Sequence, residues 1–155
     1  MAQIYSLALY ETRDPHTAED VTEGVFLKAL TALPGFREQG AGEDSTFKVW
    51  LYAIARNVIA NERRRERRHP QHPLELALGV RAPDDPAATA ETRIEAERAM
   101  QAVMELPAER KQAVILRFVN ELSAREIGEI MGKSEGAVRV LIHRALASVR
   151  RQLEP

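Results

Sequence analysis

The chain has 155 residues, 45% hydrophobic, 29% charged and 5% aromatic, and its 22 Lys/Arg against 23 Asp/Glu give a formal net charge of −1. That length suits one ordinary domain or two very small ones. The absence of cysteine excludes disulfides, thiolate metal sites and Cys nucleophiles.

No apolar run reaches the roughly 18 residues of a membrane span and no signal segment opens the chain, so the expectation is a soluble, cytoplasmic protein without membrane insertion. Ala, Leu, Glu and Arg dominate and no period-2 alternation is bounded by turn residues, which predicts an all-α fold. Residues 3–12 read as the end of a helix with Ile4, Leu7 and Ala8 on one stripe, interrupted at Asp14-Pro15. A second helix is predicted from Thr17 to Ala32, with Ala18, Val21, Val25 and Ala29 inward and Thr17 with Asp20 as a capping-box-like pair. Pro34, Gly35, Gly40 and Gly42 make 34–44 a loop. Ser45 then caps a third helix whose face holds Phe47, Leu51, Ile54 and Val58, with Trp50 beside them and a basic run at its end.

Between residues 70 and 90 the prolines Pro70, Pro73, Pro83 and Pro86 predict a semi-extended linker, which divides the chain into small helical domains at 1–69 and 91–155. Helical spacing resumes with Ile94, Met100 and Val103 up to Leu106-Pro107, then Val114, Ile115 and Phe118 mark another helix. Ser123 with Glu126 is a capping box for a short helix carrying Ile127, Ile130 and Met131, and Gly132 ends it. The last helix starts at Ser134 and aligns Val138, Leu141, Ile142, Ala145, Leu146 and Val149.

Two segments carry chemistry. From Ala124 to His143, a short helix with small Gly128, a turn at Gly132 and a longer helix anchored by Val138 and Leu141 have the spacing of a helix-turn-helix. Ser134, Glu135, Arg139, His143 and Arg144 then point outward toward DNA. The plain alternative is a helical hairpin in a bundle. The second segment, FKVWLYAIARNVIANERRRERR from Phe47 to Arg68, sets Trp50 and Tyr52 beside Arg63, Arg64, Arg65, Arg67 and Arg68, which suits unpaired bases and phosphates. Trp50 reads equally well as core. Neither catalysis nor a metal or cofactor site is expected: His69 and His72 lack an acidic companion at helical spacing, adjacent Glu19-Asp20 and Asp84-Asp85 diverge, and no phosphate loop or nucleophile elbow occurs.

In order, AEDVTEGVFLKAL, a glycine-containing loop, FKVWLYAIARNVIANERRR, a proline-rich linker and LPAERKQAVILRFVNELSAREIGEIMGKSEGAVRVLIHRAL resemble the extracytoplasmic-function (ECF) group of bacterial RNA polymerase sigma factors, from about Ile4 to Leu153. The resemblance implies promoter-directed transcription initiation. Thr17–Ala32 matches region 2.2, which holds the β′ clamp helices of core RNA polymerase, making Asp20, Glu23 and Phe26 contact candidates. Residues 34–44 and the helix after them match the part that captures an unpaired base of the −10 element, and Trp50, Tyr52, Arg56, Asn57, Arg63 and Arg64 are the candidates there, with Phe47, Leu51 and Ile54 read as core. Residues 106–146 are similar to region 4, which reads the −35 element and meets the β flap, so Ser134, Glu135, Arg139, His143 and Arg144 face promoter DNA. An anti-sigma factor is a frequent partner in the family. Relative to that family the chain begins partway into its first domain, has Glu23-Gly24 where Gln-Glu is common, and carries Val140 and Leu141 where polar residues are frequent.

The alternatives are a repressor or activator acting without polymerase, which ordinarily dimerises on a palindrome, and a nuclease-like enzyme. Charge placement favours DNA. Residues 47–72 carry seven Lys/Arg against two Glu, a net of +5, and residues 133–151 carry five against one, a net of +4, leaving −10 on the remainder.

Overall fold

A computed structural model describes residues 2–38, 46–68, 86–87 and 89–154. Among these the structure is helical, with no strand: α1 (Ala2–Thr12), α2 (Pro15–Ala32), a 3-10 turn (Leu33–Gly35), α3 (Thr46–Arg68), α4 (Ala90–Met104), α5 (Ala108–Val114) running into a π-helical turn (Ile115–Val119), α6 (Ala124–Met131) and α7 (Glu135–Leu153). The expected Ser45 cap, most of the 70–90 linker, and His69 and His72 lie outside the described residues.

Helices α1 and α2 are separated by Arg13, which takes a left-handed φ of 59°. Asp14, not Thr17, caps α2: its carboxylate accepts from the Thr17 amide at 3.2 Å and the Thr17 hydroxyl at 2.6 Å, with Pro15 in the first turn. The Thr17 hydroxyl bond is the main reason the Asp14 carboxyl is held below its usual range. Ala18, Val21, Val25 and Ala29 are buried, as their spacing predicts. The N-terminus of α3 is served from a distance, because Glu38 accepts from the amides of Thr46 (2.6 Å) and Phe47 (3.2 Å) and places an anion at the positive end of the helix dipole.

The inward face of α3 departs from expectation. Tyr52, Ala55 and Ile59 are buried, whereas Leu51, Ile54 and Val58 are half-buried against the core and Phe47 is 41% exposed. The reason is that α3 has neighbours on more than one side: it packs on α1 and α2, and also on α6 from the other half of the chain. One hydrophobic cluster therefore runs through both halves, including Leu7, Val25, Tyr52 and Ile59 from the first and Ile115, Leu116, Leu122 and Ile127 from the second. A smaller cluster of Ala102, Leu106, Val114, Ala145 and Val149 holds α7 to α4 and α5.

In the second half, Thr89 caps α4 and the Ser123–Glu126 capping box is present. The π-helical turn widens the register at the end of α5, so that Ile115 and Leu116 are both buried while Phe118 turns outward, 56% exposed. Ile94 and Leu146, expected on apolar stripes, are also exposed. Gly132 adopts φ 70° at the left-handed end of α6. Gly128 is required by contact: a Cβ there would sit 2.5 Å from the Lys133 carbonyl oxygen, whose own amide bonds Gly128 O at 2.8 Å.

The two helical glycines thus predict opposite outcomes. Gly128→Ala forces backbone apart and lowers stability by roughly 1–3 kcal/mol. A Cβ at Gly24 meets only Val58 Cγ1 at 3.6 Å, so Gly24→Ala raises stability by up to ~1 kcal/mol through helix propensity. Denaturant midpoints of the two variants check both signs.

Candidate functional site

Three surfaces carry the residues singled out from sequence. On α2, Asp20 and Glu23 are exposed, but Phe26 is half-buried and packed against the core. The outward apolar residues are instead Leu27 (67% exposed), Leu30 (68%) and Leu33, which continue the stripe begun by Asp20 and Glu23 at helical spacing. Three exposed leucines on one helix edge are a signal that the sequence already contains.

The second surface begins where the chain enters α3. Phe36, after the 3-10 turn, closes on Phe47 (centroids 5.7 Å, interplanar 80°) and Trp50 (4.8 Å, 39°), and Phe47 and Trp50 lie 5.6 Å apart. This half-exposed three-ring cluster is an aromatic platform of the kind bases stack on. Phe36 was invisible to spacing because ten residues and the start of a helix separate it from its partners. Tyr52 is not part of the platform. It is 2% exposed and its hydroxyl donates to Gln3 Oε1 at 3.3 Å, so it serves as core; burial pushes its phenol pKa up.

Further along α3, Asn57 and Arg64 are exposed, Arg64 donating to Asn61 Oδ1 at 3.2 Å. Arg56 and Arg63 point elsewhere. Arg56 Nε donates to Gln112 Oε1 on α5 at 2.8 Å. Arg63 pairs with Glu11, whose side chain is fully buried at the end of α1, and Lys111 Nζ of α5 approaches the same carboxylate oxygen at 3.9 Å. Both arginines line a cleft of about 250 Å³ whose other wall is Ala108, Glu109 and Gln112.

The third surface is α6–turn–α7. Ser134 accepts from the Ala137 amide at 3.1 Å and caps α7, and Val138 is fully buried, which fixes α7 at its angle to α6. Glu135, Arg139, His143 and Arg144 are exposed along one side. Arg139 and Glu135 form an ion pair at 2.8 Å one turn apart, so the carboxylate holds the guanidinium in position. Beyond it, Arg110, His143, Arg144, Arg150 and Arg151 rim a groove of about 620 Å³. Val140 is 47% exposed on the same helix. Among the described residues, no group of three or more His, Asp or Glu could hold a metal ion, and no helix is long and apolar enough to cross a membrane.

The Sigma-70 region 2 family model matches residues 1–69 and the Sigma-70 region 4 model residues 96–149. The ECF RNA polymerase sigma factor ShbA of Streptomyces griseus is 32% identical over 139 residues, covering 87% of this chain and 71% of ShbA. The chain belongs to the ECF sigma factor family.

The ECF sigma factor BldN of Streptomyces coelicolor is 32% identical over 158 residues, covering 97% of this chain but 56% of BldN. The chain thus spans between about half and seven tenths of the length of these relatives. The sigma factor RpoE of Bartonella quintana, solved in complex with the anti-sigma factor NepR, shares the fold at a TM-score of 0.70 and 20% identity, over 97% of this chain and 89% of RpoE.

In this sigma factor the region 2 and region 4 halves are joined by polar contacts that no local motif signals. Besides Arg56–Gln112 and the Glu11 cluster, Lys48 on α3 pairs with Glu126 of α6 at 3.2 Å, and Asn120 Nδ2 donates to Gln3 O at 2.8 Å. Arg13 donates to the Met104 carbonyl. Burial, with the guanidinium groups of Arg63 and Arg13 nearby, lowers the Lys111 ammonium to a pKa of about 8.

A lysine whose pKa is 10.5 unfolded and about 8 folded makes the unfolded chain bind more protons in that interval. Stability contributed at this position therefore rises as pH climbs from about 8 toward 10.5. Chemical denaturation at pH 7 and pH 9 should find a gain in the wild-type chain that Lys111→Met lacks; identical pH slopes would remove Lys111 as the source.

Proposed function

We propose that the chain is a promoter-specificity subunit of RNA polymerase with no bond chemistry of its own. Residues 1–69 form the domain that attaches to the β′ clamp and captures the −10 element, 70–90 are the sequence that joins the two domains, and 91–155 read the −35 element and meet the β flap. The carrying observation is the exposed side of α7, where Glu135, Arg139, His143 and Arg144 stand on a helix whose angle is set by the Gly128 contact and buried Val138. A recognition helix in the major groove needs that combination of rigid placement and donor side chains. Supporting it from the other half, α2 offers a carboxylate-and-leucine edge suited to a protein partner, and the start of α3 offers Phe36, Phe47 and Trp50 for unstacked bases.

Within the −10 set, the exposure of Asn57 and Arg64 and the ring cluster at Trp50 support direct contact with DNA; Arg56 is engaged by Gln112 of the second half and Arg63 by Glu11 of its own half. Tyr52 supports the platform from the core. On α2, Asp20 and Glu23 act with Leu27 and Leu30. An anti-sigma factor is the expected negative regulator, by analogy with the RpoE–NepR complex. Promoter binding by such a subunit takes place in the cytoplasm. An enzymatic reading and a polymerase-independent repressor have no specific observation in their favour.

Mixing the chain with core polymerase should give specific initiation on genomic promoter fragments, and failure to bind core would sink the proposal. Within a competent holoenzyme, Arg139→Ala weakens promoter binding by roughly 1–3 kcal/mol with relaxed preference at one −35 position. Trp50→Ala impairs open-complex formation more than core binding; equal loss of both would return Trp50 to the core.

A further inference from the structure

Val140 stands 47% exposed in the second turn of α7. At about 100° per residue it falls between Arg139 and Arg144, inside the surface that also carries Glu135 and His143. Its side chain leans toward the helix N-terminus, over Gly136 one turn earlier. A Cβ at Gly136 would meet no other element within 4 Å among the described residues, so the fold does not demand glycine there as it does at Gly128. Glycine is nevertheless a poor helix former. Arg139, the polar neighbour of Val140, is drawn the other way around the helix by Glu135 at 2.8 Å. A single exposed valine needs no explanation. An exposed valine inside the DNA-facing side, beside an unforced glycine and with its neighbouring guanidinium tied back, forms an apolar notch.

We propose that Val140, with the space left by Gly136, reads a thymine of the −35 duplex through its C5 methyl group and so sets specificity at a base pair that no polar side chain decides. The inference rests on the sigma-factor reading and deepens it by naming what the recognition helix selects. In the major groove the thymine methyl is the apolar group that a base-pair edge presents, and it is the group that fits such a notch. Cytosine at the same place leaves the notch unfilled and sets its amino donor against valine, without an acceptor. Adjacent Cα atoms lie about 3.8 Å apart and successive base pairs about 3.4 Å, so the thymine lies within about two base pairs of the pair that Arg139 contacts. The polar readout and the methyl readout are thus neighbours on one helix, and together they specify a short sequence.

The full chain, with and without core polymerase, is put to selection from duplexes carrying a randomised −35 segment. In the selected duplex each thymine is then replaced in turn by 2′-deoxyuridine, which removes the methyl and nothing else. Binding of every replacement is measured for the wild-type chain and for Val140→Ala. A third variant, Gly136→Leu, is measured on the unmodified selected duplex and in thermal unfolding.

Wild-type binding should fall roughly fourfold at one thymine, which is about what burying one methyl group contributes. In Val140→Ala the same replacement should cost nothing. Gly136→Leu should unfold no earlier than the wild type yet bind the selected duplex roughly tenfold more weakly, because its side chain fills the notch and meets the base edge. No preferred duplex, no uracil-sensitive thymine, a uracil penalty undiminished in Val140→Ala, or wild-type affinity in Gly136→Leu would each overturn the methyl contact. Any of these in a holoenzyme that initiates specifically strikes the inference and leaves the sigma-factor reading standing. A methyl-sensitive thymine selected by a chain that never recruits core polymerase would uphold the contact and defeat that reading, so the two fail separately.

Discussion

Helix α3 runs between α1 and α2 of region 2 and α6 of region 4, and the placement of every other surface follows from how its faces are shared out. Its buried stripe of Tyr52, Ala55 and Ile59 belongs to a core that includes Ile115, Leu116 and Ile127 from the other half. Its N-terminus, fixed by Glu38, turns Phe47 and Trp50 toward Phe36. Its polar flank is then left to present Arg56 and Arg63 sideways, to α5 and to Glu11, while Asn57 and Arg64 face solvent. A 23-residue helix has too little circumference to bury a stripe on two neighbours, hold an aromatic cluster and expose all of its arginines at once.

What was legible from sequence is local. The Ser123–Glu126 capping box, Ser134 at the start of α7, the turn at Gly132 and a small residue at Gly128 are each decided within six residues, and the residue types alone predict them. The inward stripe of α2 was equally plain, because four apolar residues at three- and four-residue spacing have one way to face a core. Spacing alone puts the cap of α2 at Thr17, three residues late, since Asp14 and Thr17 are both good cap types; Pro15, which favours the first helical turn, is the signal that distinguishes them.

What was not legible is contact between residues far apart in sequence. Tyr52 and Trp50 are adjacent aromatics on one helix, and only the docking of region 4 and the N-terminal Gln3 on that side makes Tyr52 core and leaves Trp50 for the platform. Phe118 fits an apolar stripe at helical period, but the π-helical turn rotates it out. Arg63 sits in a run of arginines that reads as a solvated helix end, and nothing nearby reveals that Glu11, 52 positions earlier, draws this one inward while Arg64 and Arg65 stay exposed.

The net of +5 on residues 47–72 counts Arg56, Arg63 and Lys48, all of which are engaged by Gln112, Glu11 and Glu126 in the folded chain. The basic groups that remain on the outside of α3 lie toward its C-terminal end, whereas the aromatic platform lies at its start. The proposed strand capture draws on both ends, because stacking holds bases and guanidinium groups neutralise the phosphates between them.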